Sequence, residues 1–580
     1  KSKQKQEINM KTENELRSAL RSIDHKSYPA YKQLSGQYKF EHYFLFIDHV
    51  QGDPFASPSA VHVEIPISRT GFPKEYYNNS CSKIALCDYL TRRLCEQFEQ
   101  YNFKAKGSGK SGLISISRCG QEVFERSACE ITSNKLIVRF HVGFPAFGRT
   151  INSGELEKIL FAFLPRCIEN SLFYKTANKQ LLEDAIFLAE DQEALREILG
   201  AENLICFVAD GAVLPRKSGI SDLPMNGSVP FESPDSMRRE FVLPHKGKIS
   251  GMAVPSGITL IVGGGYHGKS TLLEAIQMGI YNHISGDGRE FAITNNTAIK
   301  LRAEDGRSVR NVDISLFIND LPNKKDTTSF TSADSSGSTS QAAGVIEGIE
   351  SGTKLFLIDE DTSATNFMVR DKLMQKIISR EKEPITPFLE RAGELYEKAG
   401  ISTILVAGSS GAFFYIANNI ILMDCYKPYD ITNTVKEECK NYSAPRIKAP
   451  DFKIPDFNRV FPRYVRSEEK GGRGKYHEHM KVKVFGIESF SLDRENINLR
   501  YLEQLSDSEQ TTALAQLLRF GLENVIDGRR TIRETVNMIY ETLNTKGWEP
   551  FCGSYIPCGL AKPRIQELFA CINRFRGGQK

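Results

Sequence analysis

The stretch Gly263-Gly264-Gly265-Tyr266-His267-Gly268-Lys269-Ser270-Thr271 has the residue types and the spacing for phosphate chemistry. It reads G-x-x-x-x-G-K-S, with an apolar run (Ile258 to Val262) before it and a helical pattern (Thr271 to Ile276) after it. Glycines let successive N–H groups turn inward around an anion, and the helix N-terminus adds its partial positive charge. Lys269 is then placed for β- and γ-phosphates, and the Ser270 hydroxyl for Mg2+. A plain Gly-rich turn needs no Lys-Ser pair at this spacing.

A second group of chemical residues lies 90 positions on. Leu355 to Ile358 reads as a buried strand, and it ends in Asp359 and Glu360. At a strand end Asp359 can hold Mg2+, and Glu360 can polarise an attacking water. Alone, an apolar run ending in acids is weak evidence; with Lys269-Ser270 upstream the pair reads as the other half of an ATP·Mg2+ site. Between the two lies Ser335-Ser336-Gly337-Ser338-Thr339-Ser340-Gln341, ahead of a helix. Its small hydroxyl residues and glycine could donate to a phosphate, or could simply cap a helix.

These groups need an α/β scaffold, and the rest of the chain is long enough to supply one. At 580 residues it predicts two to four domains. No apolar run approaches the length of a membrane span, so no transmembrane segment is expected. The 12 cysteines are scattered without a C-x-x-C pair, which predicts a reducing intracellular compartment. Leu204 to Ala209 reads as a buried strand, Ser80 to Tyr101 as an amphipathic helix, and residues 28–69 as strands joined by tight turns. The expected divisions are an α+β domain over 1–170, the nucleotide core over 171–450, and a linker with a mainly helical domain over 451–580.

Charge is uneven. Residues 1–150 carry 22 Lys+Arg against 15 Asp+Glu, and residues 434–580 carry 25 against 19, around an acidic middle. Such flanks fit a polyanionic partner, or no more than solvated surface. Gly107-Ser108-Gly109-Lys110-Ser111-Gly112 imitates a phosphate loop, but Lys104 stands where the motif needs Gly, and a strand pattern follows. Lys104, Lys106 and Lys110 on this loop, with Arg92 and Arg93 on the preceding helix, are the candidate nucleic-acid contacts; a mobile surface loop is the equal alternative.

Taken together, Ile47-Asp48-His49-Val50-Gln51-Gly52-Asp53-Pro54-Phe55, Gly107 to Ser117, Val208-Ala209-Asp210-Gly211 and Leu357 to Phe367 resemble the non-transporter ABC-class ATPase family. The likeness includes kinetoplastid mitochondrial members tied to RNA editing. It implies an ABC-type P-loop core in an α/β fold, and an ATP-dependent homodimer. Ser336, Gly337, Ser338, Ser340 and Gln341 would act as a signature segment closing the partner's ATP site, and Asp361 to Asn366 as the D-loop. It also implies an RNA partner, an RNA-processing complex and a mitochondrial location. Two positions depart from the family. No His follows the strand Thr403 to Val406, where Ala407-Gly408-Ser409-Ser410 stands, and Asn319 or Asp320 is the nearest substitute for a Q-loop glutamine. The expectation is an ATPase, possibly slow, with a nucleotide-gated clamp or scaffold as the alternative.

Overall fold

A computed structural model describes residues 10–371, 377, 382–408, 410–442, 449–464 and 480–577. The chain forms two compact units, Lys1–Glu190 with Lys546–Lys562, and Asp191–Thr545 with Pro563–Lys580.

In the first unit, alternation of apolar and polar residues makes strands that bury one face. The strands are β1 (Lys11–Thr12), β2 (Gly36–Lys39), β3 (Phe44–His49), β4 (Ser59–Pro66), β5 (Ile114–Ser115), β6 (Cys129–Ile131) and β7 (Lys135–Val142). They join in the order β1-β2-β3-β4-β7-β5, with β6 also on β7, antiparallel apart from β1 and β2. Leu45, Ile47, Val61, Val63 and Ile65 point into the core, while His62 and Glu64 occupy the other face. Helix α1 (Glu13–Ser22) starts in a capping box at Thr12, and α2 (Ser80–Tyr101) in an Asn79 cap. Leu86, Leu90, Leu94 and Phe98 recur at helical spacing on the buried side of α2.

The second unit contains a four-stranded antiparallel sheet and the parallel sheet that carries the site. The first is built from β8 (Leu204–Ala209), β9 (Arg238–Leu243), β10 (Gly247–Pro255) and β12 (Ala292–Thr294), in the order β9-β10-β8-β12. The parallel sheet contains β11 (Ile258–Val262), β13 (Ile299–Leu301), β14 (Leu355–Asp359), β15 (Ser402–Val406), β16 (Asn419–Asp424) and β17 (Lys427–Asp430). Its order is β13-β14-β15-β11-β16-β17; only β17 runs antiparallel, as a hairpin on β16. Continuous runs such as ITLIV and LFLID are buried along their whole length, as strands covered on both faces require. Helices α3 (Lys269–Met278), α4 (Gly337–Glu350) and α5 (Phe388–Ala399) complete this layer. The second unit is thus α/β, with the phosphate-loop motif at the edge of its parallel sheet, and the first unit is α+β.

The first boundary falls within the helix Lys179–Ala201. Residues 546–562 belong to the first unit, where Ser127 donates to the Pro557 and Leu560 carbonyls. The rest adds a meander, β18 (Val482–Phe485), β19 (Ser489–Leu492) and β20 (Glu495–Asn498), then α6 (Ser508–Phe520), α7 (Ile532–Lys546) and α8 (Ile565–Asn573). It is fastened to the core by Gln277 Nε2 to Glu503 O (2.9 Å) and Tyr281 OH to Gln504 O (2.8 Å).

Candidate functional site

Parallel strands deliver their carboxyl ends to one edge of the sheet, and the predicted chemistry gathers there. In register, Val406 of β15 lies opposite Ile261 of β11 on one side and Asp359 of β14 on the other. The loop 263–268, the acids 359–360 and the segment 407–408 therefore leave the sheet side by side.

The loop owes its path to glycine at two positions. Gly263 has φ +141°, and a Cβ there would lie 2.3 Å from the Met423 carbonyl oxygen of β16. Gly268 has φ +94° and leads directly into α3. Gly264, Gly265 and Ser270 are exposed, His267, Gly268, Lys269 and Thr271 half-buried, and the Tyr266 side chain is 99% exposed. The Lys269 ammonium donates to the loop's own carbonyls, Gly263 O (2.9 Å) and Gly264 O (2.6 Å). These are bonds that a phosphate can replace.

Asp359 is 8% exposed and accepts from the Asp361 N–H at 3.1 Å. Its carboxylate and the exposed Ser270 hydroxyl are hard oxygen donors of the kind Mg2+ takes. The Glu360 carboxylate accepts from the Gly408 backbone N–H at 2.7 Å. Where the family carries a switch His, this chain thus offers a main-chain donor to the acid; Ser409 lies outside the described residues. Asn319 spends its amide on Ser315 O. Lys300, on β13, escaped the sequence reading: burial pulls its ammonium below the usual lysine range, against the carboxylates of Glu503 and Asp359. A single lysine in an amphipathic strand gave no signal.

The segment before α4 divides. Ser336 is exposed and Thr339 half-buried, their hydroxyls 3.1 Å apart. Gly337, Ser338, Ser340 and Gln341 face inward. Ser340 Oγ accepts from Glu304 N and donates to Gly337 O. Gln341 is fully buried and ties α4 to the D-loop position, donating to Ser363 Oγ (3.0 Å) and accepting from Ala364 N (2.9 Å). Ser338 is 9% exposed, and the Gly337 N–H is taken by Asp305 at 2.7 Å. Only Ser336 and Thr339 present free hydroxyl surface.

In the N-terminal unit, Gly107 to Gly112 is a braced loop and no mobile tip. Lys110 N donates to Pro54 O, Ser108 N to Ala146 O and Gly112 N to Gly143 O. A Cβ at Gly112 would lie 2.0 Å from the Ala105 oxygen. Lys104 and Lys106 are exposed and Lys110 half-buried; Lys104 stands 4.9 Å over the Tyr101 ring. Arg92 and Arg93 are committed elsewhere. Arg92 pairs with Asp88 (2.6 Å) and donates to the Cys119 and Glu122 carbonyls; Arg93 donates to Asn170 O and Thr176 O. That both guanidinium groups are spent on partners within the fold is a tertiary fact that helical spacing left open. Phe55, Phe103 and Phe147 are exposed on the segments that brace the loop, and sequence reading passed over them.

Comparison with known proteins agrees with this anatomy. Three family models match in succession: the ABC-class ATPase N-terminal region over residues 13–175, the ABC ATPase P-loop domain over 178–457, and the MRB1590 C-terminal domain over 481–579. An uncharacterized protein of Methanocaldococcus jannaschii, MJ1628, is 32% identical over 257 residues, 42% of this chain and 55% of that protein. The chain thus matches about half the length of this curated relative. Among solved structures, cbiO1 of Clostridium perfringens, part of an ABC transporter complex, is 12% identical over 41% of this chain and 93% of its own, with a TM-score of 0.26. The nucleotide-binding cassette MJ1267 in its ADP conformation is 14% identical over 35% of this chain and 91% of its own, with a TM-score of 0.23. Among the described residues no helix is long and apolar enough to cross a membrane. With its N-terminal, P-loop and C-terminal segments each matched in order, the chain belongs to the ABC-class ATPase family and is related to the kinetoplastid protein MRB1590.

Proposed function

We propose that this protein binds ATP with Mg2+ and hydrolyses it in a head-to-tail homodimer, and that the cycle works on RNA. The observation that carries the reading is the meeting of Lys269, Ser270, Asp359 and Glu360 at the carboxyl edge of one parallel sheet. Lys269 leaves the Gly263 and Gly264 carbonyls to neutralise phosphate charge, and loop N–H groups receive the phosphate oxygens. Ser270 and Asp359 would hold Mg2+, which would supply positive charge to the phosphates. Glu360 orients the attacking water once its carboxylate leaves the Gly408 N–H. Ser336 and Thr339 of a second copy close the site.

RNA as the partner is supported by Lys104, Lys106 and Lys110 beside exposed Phe55, Phe103 and Phe147: cations for phosphates and rings on which bases stack. The match to the MRB1590 C-terminal domain is what favours an RNA-editing or RNA-processing assembly as the setting; a mitochondrial location is part of the proposal and rests on the family resemblance alone. A nucleotide-gated clamp with little turnover is the second reading, favoured by the Glu360 carboxylate resting on a backbone N–H with no switch His at that place. Steady-state ATPase with and without single-stranded RNA tests both. Turnover that RNA changes supports the first reading; ATP binding with RNA retention but no phosphate release supports the second.

A further inference from the structure

The β16–β17 hairpin turns through two non-glycine residues in left-handed conformation, Cys425 (φ +46°) and Tyr426 (φ +68°), between the register partners Asp424 and Lys427. This tight turn lies against the phosphate loop. Tyr426 N donates to His267 O (3.2 Å), and Cys425 N approaches His267 Nδ1 at 2.9 Å. Asp424 Oδ1 is 2.9 Å from the same nitrogen. One nitrogen therefore faces an N–H donor and a carboxylate at once. A proton on Nδ1 serves Asp424 and strands the Cys425 N–H. A bare lone pair serves Cys425 and faces the negative oxygen. A cation set between Nδ1 and the carboxylate removes the repulsion, and it takes from the Cys425 N–H the lone pair that N–H now uses. The ligand atoms of His267, Asp424 and Cys425 lie within 4.8 Å of one another, and the His267 and Asp424 side chains are 34% and 56% exposed, so an ion can reach them.

We propose that His267 Nδ1, Asp424 Oδ1 and Cys425 Sγ form a site for a soft divalent metal ion, zinc first, which fastens the phosphate loop to the β16–β17 turn and opposes ATP binding. Nitrogen, thiolate and carboxylate are the zinc donors, and three protein ligands leave its fourth position open. Mg2+ avoids thiolate and goes to the oxygen donors Ser270 and Asp359, so the two metals do not share a site. Phosphate capture requires Lys269 to leave the Gly263 and Gly264 carbonyls. An ion on His267 holds that resting loop, and by linkage the metal weakens ATP by the factor that ATP weakens the metal. The antagonism rests on the ATP reading; the metal site does not.

The test uses the full chain, stripped with chelator and titrated with Co2+. A thiolate-to-cobalt charge-transfer band is expected, displaced by Zn2+. Cys425→Ser should abolish the band, and Asp424→Asn should weaken cobalt binding at least about tenfold. No band in the parent, or the same band in Cys425→Ser, overturns the site, since the ion would then sit nowhere or on another of the 12 cysteines. A fluorescent ATP analogue is then titrated with and without one equivalent of Zn2+. Weakened binding in the parent but not in Cys425→Ser supports the antagonism, and equal affinity overturns it. A cobalt band lost in Cys425→Ser, with no nucleotide bound by the metal-free parent, leaves the metal site standing and removes the ATP reading.

Discussion

Lys269 and Glu360 each make a bond in the resting chain that their proposed chemistry must break. For Lys269 the partners are two carbonyls of its own loop, so the Lys269→Ala variant loses nothing the fold depends on. Calorimetric titration of this variant should show ATP binding lost with the melting temperature kept. Parental affinity would remove the loop from phosphate binding. Glu360→Gln preserves a side-chain acceptor for the Gly408 N–H but cannot serve as a base. It should bind ATP, slow hydrolysis by about 10²-fold or more, and accumulate an ATP-held dimer visible by light scattering.

At the scale of elements, the braced loop 107–112 separates charges that work outward from charges that work inward. Lys104, Lys106 and Lys110 hold no partner whose loss unfolds the loop, because backbone bonds brace it. Replacing all three by Ala should weaken single-stranded RNA binding and flatten its salt slope, with basal ATPase nearly unchanged. Arg92→Ala should act oppositely. It leaves the buried Asp88 carboxylate unpaired, at a cost of about 3–5 kcal/mol, so thermal denaturation should report it before RNA binding does. Helix α4 is held in the same inward manner by C-terminal side chains. Arg459 pairs with Glu350 near its last turn, and the Arg533 guanidinium donates to the Glu350 carbonyl (2.9 Å). The C-terminal stretch thereby fixes the helix that presents Ser336.

For the molecule as a whole, the pair that should limit acid stability in the second unit is His283 and Asp287, both fully buried, with Nδ1 and Oδ2 2.8 Å apart and Arg216 on the same carboxylate. Burial works to raise the Asp287 carboxyl, but bonds from His283 and Arg216 outweigh it and hold it below the ordinary range. A depressed carboxylate gives stability present above its unfolded value, about 3.9, and lost as pH falls through the folded one. The parent should lose melting temperature steeply below about pH 4. Asp287→Asn should start lower at neutral pH and lack that acid limb. Parallel curves for the two proteins would assign the acid loss to other groups.

The amino-acid sequence by itself determined the local chemistry. A phosphate loop is contiguous, so its glycines, Lys269 and Ser270 were legible, as were the apolar run ending in Asp359-Glu360 and helix α2, whose bounds coincide with its pattern. These are short-range matters of spacing, backbone freedom and burial. Which groups meet is decided by strand order. The placing of β15 between β11 and β14 brings the Gly408 N–H to Glu360, and the β16–β17 turn brings Asp424 and Cys425 to His267 across some 160 residues. The inward turn of Gln341, the commitment of Arg92 to Asp88 and the half-buried place of Lys300 beside Glu503 and Asp359 belong to the same class. A polar side chain at a given position carries no local sign of whether water or a partner will satisfy it; packing alone supplies the partner, and so decides which of the predicted residues remain free for a ligand.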